Sequence, residues 1–515
     1  MPDTIEEVEG VHTYGDNEDN VLYDSYYNDF IYGYGGNDRV VAHSNSDAPT
    51  GDLAFNLDRF YGGSGSDTID YHAITLPPGY SSISVEVDLA DSRGSRIIDG
   101  QESNRDALLS FENVIGSDGD DDIRGDNGAN RLEGGDGDDL LLGRGGNDSL
   151  YGGDGADYAY GGTENDMIYG GNDGDHLYGE NGNDHVYGEN GNDWVLGQAG
   201  NDFLDGGHGE DTVYGGSGHD TINGGRHDDL IYGHAGNDHI NGGRGDDTLN
   251  GGDGWDTLVH TGGTAMNVSL LDGTASNVFG TDTISNFENV STGGGSDLIG
   301  GTFEANVIQS GGGNDTIIGF SGNNVIYGGS GEDYVLAGLD NDIVLGQSGE
   351  DLVYGQNGSD TIVGGSGADD LYGGDDDDVI RGDSGNDLIV GGEGVDNVKG
   401  GWGSDVFRWE DGDLGTDVIL DFSMAFDKIS FGEDFFAWDP GIGGNYAGLL
   451  MTFAAPGAGM SSYLFANTQE AGWQNIGWFQ NVHVNSLQQG VFNGSIFAAE
   501  VNPVVVPDWD EFIIV

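Results

Sequence analysis

The chain is 515 residues long, with 100 Gly, 92 Asp plus Glu, 14 Lys plus Arg, 8 Pro and no Cys, for a net charge of −78. Apolar residues are only 35%, below the roughly 45–50% of an ordinary globular domain, which argues against several conventional cores. So few prolines exclude collagen, the acidity argues against nucleic acid and against an anionic membrane surface, and the lack of Cys removes disulfides, thiol catalysis and zinc–thiolate sites.

The start of the chain, Met1 to Glu7, has neither a basic stretch nor an apolar run, so no N-terminal signal peptide is expected. No stretch approaches the roughly 18 apolar residues of a membrane span. Residues 1–70 form an N-terminal segment with a short, interrupted set of nonapeptides: three units over 15–41 and a lone one over 62–70. Their sixth positions include Asp29, Asp38 and Asp67. Residues 71–115 read as a β connector, with alternation over Val85–Leu89 and a closing Phe111-Glu112-Asn113-Val114.

Residues 116–259 divide into 16 consecutive nonapeptides without an insertion. Position 8 is apolar in all 16, and position 6 is Asp in 15, Asn130 being the exception. The acids are Asp121, Asp139, Asp148, Asp157, Asp166, Asp175, Asp184, Asp193, Asp202, Asp211, Asp220, Asp229, Asp238, Asp247 and Asp256. A single slipped residue would destroy this register, so it is no accident of composition.

Residues 260–291 form a second β connector, which repeats the first: Phe287-Glu288-Asn289-Val290 lies 176 residues after Phe111-Glu112-Asn113-Val114. A second array of 13 units follows over 292–408. Its position-6 acids are Asp297, Asp315, Asp333, Asp342, Asp351, Asp360, Asp369, Asp378, Asp387, Asp396 and Asp405, with Asn306 and Asn324 as exceptions. Residues 415–422 echo 280–287. Residues 409–500 lose the period and gain aromatics, including Phe435, Phe436, Trp438, Phe453, Trp473 and Trp478. They read as a β-rich cap, since a stack of repeats needs its apolar end closed. The alternative is a carbohydrate-binding face built on those tryptophans. Residues 501–515 end in an acidic pair and a short apolar run.

Positions 1–6 of each unit are Gly-rich and read as a turn. Positions 7–9 read as a three-residue strand whose middle side chain points inward. Two units make one flattened coil of 18 residues. Stacked coils give two parallel sheets with the position-8 residues between them, a core that few apolar residues can fill. The stacking also places an Asp ladder along each edge. Residues 18 apart, such as Asp139 and Asp157, then repel unless a cation intervenes. Ca²⁺, which takes 6–8 oxygen ligands in flexible geometry, suits carboxylates and turn carbonyls better than Mg²⁺. One ion per gap between stacked turns gives roughly 25 ions.

The nonapeptide GGxGxDxUx resembles that of the RTX (repeats-in-toxin) family of calcium-binding repeats. The resemblance covers about half the chain and implies an all-β fold: a right-handed parallel β-roll of two long arrays plus a short N-terminal one. It implies that the position-6 aspartates named above are the carboxylate ligands of Ca²⁺. It leaves Asn130, Asn306 and Asn324 as weak or empty sites. The tail 501–515 resembles the uncleaved type I secretion signal of that family. This implies the type I secretion machinery as a partner and a secreted, extracellular or cell-surface location. Extracellular calcium modules bind at about 10⁻⁴–10⁻³ M, so the arrays would stay unfolded in the cytosol and fold outside.

Zinc-protease, serine-lipase and P-loop signatures are lacking. The expectation is therefore a non-catalytic structural, surface-layer-like, matrix, filament or adhesive component. The alternatives are a polysaccharide-modifying enzyme with its site in a flank, or a glycan-binding module. His176, His185, His208, His219, His227, His234 and His239 occupy different repeat positions and read as edge or solvated residues. Position 9 is often Tyr (Tyr151, Tyr160, Tyr169, Tyr178, Tyr187, Tyr214 and Tyr232). These rows read as outward ladders for cross-strand packing, or as a stripe for self-association or for a cell-surface polysaccharide.

Overall fold

The computed structural model describes residues 12–24, 29–42, 58–72, 83–98, 101–409, 417–423, 426–431, 450–452, 462–468 and 472–479. Every element among them is a β-strand, and no helix of the described residues is long and apolar enough to cross a membrane. The chain divides into two compact units, Met1–Leu258 with Phe279–Phe287, and Val259–Val278 with Glu288–Val515.

In the first unit alternate nonapeptides feed two parallel sheets. Strands Leu140–Gly145, Tyr158–Thr163 and His176–Asn181 pair in one sheet, with Leu141 opposite Ala159 and Ala159 opposite Leu177. Strands Ser149–Asp154, Met167–Asn172 and His185–Asn190 pair in the other, with Leu150 opposite Ile168 and Ile168 opposite Val186. The coil is therefore 18 residues, and the fold is a parallel β-solenoid. All six of those inward side chains are 0% exposed.

The strands are longer than the expected three residues. Tyr158–Thr163 runs on from positions 7–9 through positions 1–3 of the next unit. Pairing skips position 1 and resumes at position 2, as in Tyr160 opposite Tyr178 followed by Gly162 opposite Glu180. The skip needs a positive φ at position 2, as at Gly162 (φ 118). Glycine takes that conformation readily, and Glu180 (φ 74) adopts its narrower left-handed version. With positions 1–3 held in the sheet, only positions 4–6 remain as the turn.

The connector 71–115 is wired into the first sheet. Gln101–Leu109 pairs in parallel with Arg59–Ser64, and Ile83–Asp88 pairs in parallel with Asp122–Arg124. Arg93–Ile98 is antiparallel to both inserted neighbours. Val87 and Leu108 are 0% and 1% exposed and continue the core. The second sheet meanwhile passes directly from Thr68–Asp70 to Asn113–Ile115 to Arg131–Asp136.

The second unit repeats the scheme. Ile299, Ile317, Val335 and Val353 stack from one sheet, and Ile308, Ile326 and Val344 from the other. Strands begin at three residues (Leu298–Gly300, Val307–Gln309, Thr316–Ile318) and reach six at Val325–Ser330. The hairpin Asn267–Ser269 and Thr274–Asn277 pairs with Leu298–Gly300, as Ile83–Asp88 does with Asp122–Arg124. Leu450–Thr452, Ser462–Thr468 and Gly472–Phe479 form an antiparallel sheet. Trp473 and Trp478 lie on its last strand. Phe435, Phe436, Trp438, Phe453 and the tail 501–515 lie outside the described residues, as do the side chains of Trp473 and Trp478.

Candidate metal-binding seams

The position-6 residue ends the tight turn and starts the strand, so its side chain turns back under the coil. Its position repeats every 18 residues, and each one meets the next. The Asp139 N–H donates to Asp157 Oδ1 at 2.8 Å, and the Asp157 N–H to Asp175 Oδ1 at 2.8 Å. The other edge carries the same chain through Asp148, Asp166, Asp184 and Asp202. In the second unit Asp297, Asp315, Asp333 and Asp351 are joined alike. All 29 acids named from the sequence are 3% exposed or less.

One carboxylate oxygen is thus used by the neighbouring coil. The other is not. Asp29, Asp121 and Asp256 aside, each of these aspartates has a buried Oδ2 with no hydrogen-bond partner among the described residues. That oxygen lies over position 1 of its own unit. A Cβ on Gly134 would overlap both Asp139 Oδ2 and the carbonyl oxygen of Gly152, and one on Gly152 would overlap Asp157 Oδ2 and the Gly170 carbonyl oxygen. Position 1 is therefore glycine for room rather than for φ. The space it leaves is bounded by hard oxygen donors, a bare carboxylate oxygen and a backbone carbonyl, with neither nitrogen nor sulfur. This donor set fits an oxygen-seeking cation such as Ca²⁺. No group of three or more His, Asp or Glu side chains is placed to hold a metal ion by itself among the described residues, so carbonyls must make up the coordination.

Burial raises the ladder carboxyls from the usual 3.8: Asp139 to about 9, Asp166, Asp175, Asp229 and Asp378 to about 8, and Asp157, Asp193, Asp220 and Asp360 to about 7. Loss of solvent is the largest cause, the N–H donated by the neighbouring coil pulls the other way, and stacked aspartates add repulsion in most of them. A buried anion without a counter-charge is costly. The edges therefore require either protons or cations.

Departures from the pattern are satisfied differently. Asp121 accepts from the Ser117 N–H at 2.6 Å, the Ser117 hydroxyl at 2.8 Å and the Val85 N–H at 2.6 Å, so both of its oxygens already have donors. Asn324 points its amide Nδ2 at the Ala337 carbonyl, at 3.3 Å, the position-1 carbonyl that bounds its void. Asn130 and Asn306 donate from Nδ2 to the carbonyls of Glu112 and Glu288, at 2.9 and 2.6 Å. Glu112 itself occupies the sixth position and accepts the Asp67 N–H at 2.8 Å. Only at Asn324 does an amide hydrogen enter the void; at Asn130 and Asn306 the amide oxygen lies over Gly125 and Gly301, and Nδ2 turns to the neighbouring coil.

Some ladder members escape a reading of the sequence. Asp58 accepts the Asp29 N–H at 2.7 Å, Asp282 that of Asp247 at 3.1 Å, Asp417 that of Asp396 at 3.2 Å and Asp427 that of Asp405 at 3.1 Å. Asp282 and Asp417 share one place in the echoed segments 280–287 and 415–422, which was their signal. Position 5 carries a further, exposed ladder in the opposite sense: the Asn183 N–H donates to Asn165 Oδ1 at 2.7 Å and the Asn201 N–H to Asn183 Oδ1 at 2.8 Å.

The outward faces carry the expected aromatic rows. Tyr160 and Tyr178 stack at 4.5 Å, and Tyr151, Tyr169 and Tyr187 at 5.1 and 4.9 Å. The histidines do not converge. His176 stacks between Tyr158 and Trp194, His234 on Tyr214, and His219 accepts the Asn237 N–H at 2.7 Å. His185 and His239 are three strands apart, with Phe203 and Thr221 between. Trp194, Leu196, Gln198, Tyr214 and His234 line an open cavity of about 260 Å³.

A profile described as the RTX calcium-binding nonapeptide repeat matches residues 14–48, 58–72, 115–264 and 291–407 in adjoining and overlapping segments. No curated protein matches the chain. Among solved structures, a hyperactive, Ca²⁺-dependent, β-helical antifreeze protein from an Antarctic bacterium is similar at 16% identity, over 78% of this chain and 85% of that one, with a TM-score of 0.16. With the nonapeptide profile matched over more than half its length, the chain belongs to the RTX family of calcium-binding repeat proteins.

Proposed function

We propose that the chain is a secreted structural or adhesive protein whose two arrays become rigid when calcium enters the aspartate seams outside the cell. The observation that carries this reading is the row of buried, partnerless Oδ2 atoms, most of them beside a backbone carbonyl. Bound there, the ion supplies the positive charge that these oxygens lack. The chain's own part is to hold each carboxylate by one oxygen and present the other. The ligands are the position-6 aspartates from Asp139 to Asp256 and from Asp297 to Asp405, with Asp38 and Asp67. Asp121 has donors on both oxygens, the Asn324 void is amide-closed, and Asn130 and Asn306 offer a neutral amide oxygen where the others offer a carboxylate, so occupancy falls below the roughly 25 gaps counted from the stacking. Secretion through the tail 501–515 belongs to the same reading. Calcium titration followed by circular dichroism tests it, and a β spectrum unchanged in chelator would overturn it.

A second reading, binding of a neutral glycan, is favoured by the cavity at Trp194. Trp194 is 41% exposed and tilted 37° to Tyr214, which leaves part of the indole face open beside Gln198 and His234. Aromatic faces with polar neighbours suit a sugar ring. Affinity electrophoresis on neutral polysaccharides with calcium present tests it. Trp194→Ala should abolish retardation while Tyr178→Ala leaves it unchanged.

A further inference from the structure

Arg96 lies on the middle strand of the first connector and is 3% exposed. It faces Val85 across the hairpin, and Val85 points into the core at 1% exposed, so the register itself turns Arg96 inward. Three buried carboxylates meet its guanidinium: Asp24 at 3.2 Å, Asp106 at 3.3 Å and Asp58 at 3.6 Å. The hydroxyl of Tyr71, itself fully buried, reaches Asp106 at 3.4 Å.

These carboxylates belong to the ladder. Asp58 takes the Asp29 N–H through Oδ1, as every array aspartate takes one from the coil before. Arg59 pairs with Ala107, so Asp106 stands in the sixth position of the next coil. Asp24 holds position 1 of its nonapeptide, where the arrays have the glycine that leaves the void. The guanidinium therefore sits among the groups that bound a seam. From Asp139 to Asp247, by contrast, no arginine or lysine among the described residues forms an ion pair with a ladder carboxylate.

The second connector provides an internal comparison. The Met266 N–H donates to Asp297 Oδ1 at 2.8 Å, just as that of Val85 does to Asp121. Asn267 pairs with Ser276, which places Asn277 opposite Met266 and in register with Arg96. Its amide Nδ2 lies 3.0 Å from Met266 Sδ. One copy of the duplicated insert carries a permanent cation, and the other a neutral amide.

We propose that Arg96 is a built-in counter-cation that takes calcium's place in the seam of Asp24, Asp58 and Asp106, so that residues 58–72, 83–98 and 101–124 fold in calcium-free solution. Arginine suits the task because its charge is permanent and its planar donors can serve several carboxylates at once. The first array then adds to an existing end when calcium arrives, which removes the cost of starting a new stack.

The inference rests on the calcium reading of the arrays, and hydrogen–deuterium exchange of the full chain separates the two. In chelator, peptides from 83–98 and 106–115 should stay protected, while those from 134–259 exchange as unfolded chain. Fast exchange of the first set in chelator would overturn the role of Arg96 and leave the calcium reading intact. Array peptides protected in chelator would sink the calcium reading instead. Arg96→Gln should speed exchange of 83–98 in chelator by about a hundredfold, the loss expected on breaking a buried pair, and Arg96→Lys should restore part of it. Unchanged exchange in Arg96→Gln would also overturn the proposal. Should Arg96→Gln fail to fold in calcium, the wild-type measurement in chelator decides alone.

Discussion

The backbone N–H of Asp184 donates to Oδ1 of Asp202 at 2.9 Å, while Oδ2 of the same carboxylate lies buried with no partner among the described residues. One oxygen ties the coils together and the other is left bare. Asp202→Asn keeps the acceptor and fills the void with an amide, as Asn324 does naturally. It should remove one bound calcium, counted by native mass spectrometry, and leave the fold intact. Asn324→Asp should add one. Asp202→Ala also strands the buried Asp184 N–H, at a cost of about 1–3 kcal/mol. It should raise the calcium midpoint further than Asp202→Asn does.

Removal of calcium should unfold the arrays as units. In chelator at neutral pH, folding the arrays would mean burying ladder carboxylates either as unbalanced anions or as acids protonated well above their ordinary range, and a solvated coil is the cheaper state. Circular dichroism should lose most of its β signal and light scattering should show a larger hydrodynamic radius. Millimolar calcium should reverse both cooperatively. A compact, β-rich protein in chelator would contradict this.

Acid should substitute for calcium. Asp157, Asp193 and Asp220 have folded values near 7 against an ordinary 3.8. The folded chain therefore holds protons more tightly than the unfolded one. Their contribution to calcium-free stability is complete below about pH 4 and is lost as pH rises through about 7. In chelator, β content should increase on going from about pH 7.5 to about pH 4.5. With calcium the sign reverses, because the ion needs deprotonated carboxylates, and the calcium midpoint should rise as pH falls.

Position 1 glycine should be intolerant for a different reason from position 2. A Cβ at Gly197 would overlap Asp202 Oδ2 and crowd the Gly215 carbonyl oxygen, although its backbone conformation is ordinary. At Gly145, in position 3, the nearest contact would be the Thr163 hydroxyl at 3.1 Å, on an exposed side chain. Gly197→Ala should lose about 1–3 kcal/mol as an overpacked site and weaken calcium-driven folding. Gly145→Ala should lie close to wild type in the same titration.

The nine-residue period was enough to set the coil length, the identity of the core and the acidic edges. Ile123 to Leu258 and Ile299 to Phe407 could be placed inside because an 18-residue coil has few ways to bury one apolar side chain per unit. Local rules decide such features, and local rules are written in every repeat. Strand length was misread because position 1 has no partner in the sheet yet does not interrupt it, a matter of hydrogen bonding between coils.

Tertiary structure alone decided which groups are satisfied. The sequence marks Asp121 and Asp139 alike, yet Ser117 and Val85 give both oxygens of the first a donor, while the second keeps a bare oxygen. It hides Asp58, Asp106 and Asp427, whose nonapeptides are too degenerate to recognise until their coils are stacked. It cannot bring Arg96 to Asp24, 72 residues away in the chain, because that meeting depends on a hairpin inserted between coils. Periodicity specifies what every turn shares, and the exceptions are fixed by partners that only the stacked chain brings within reach.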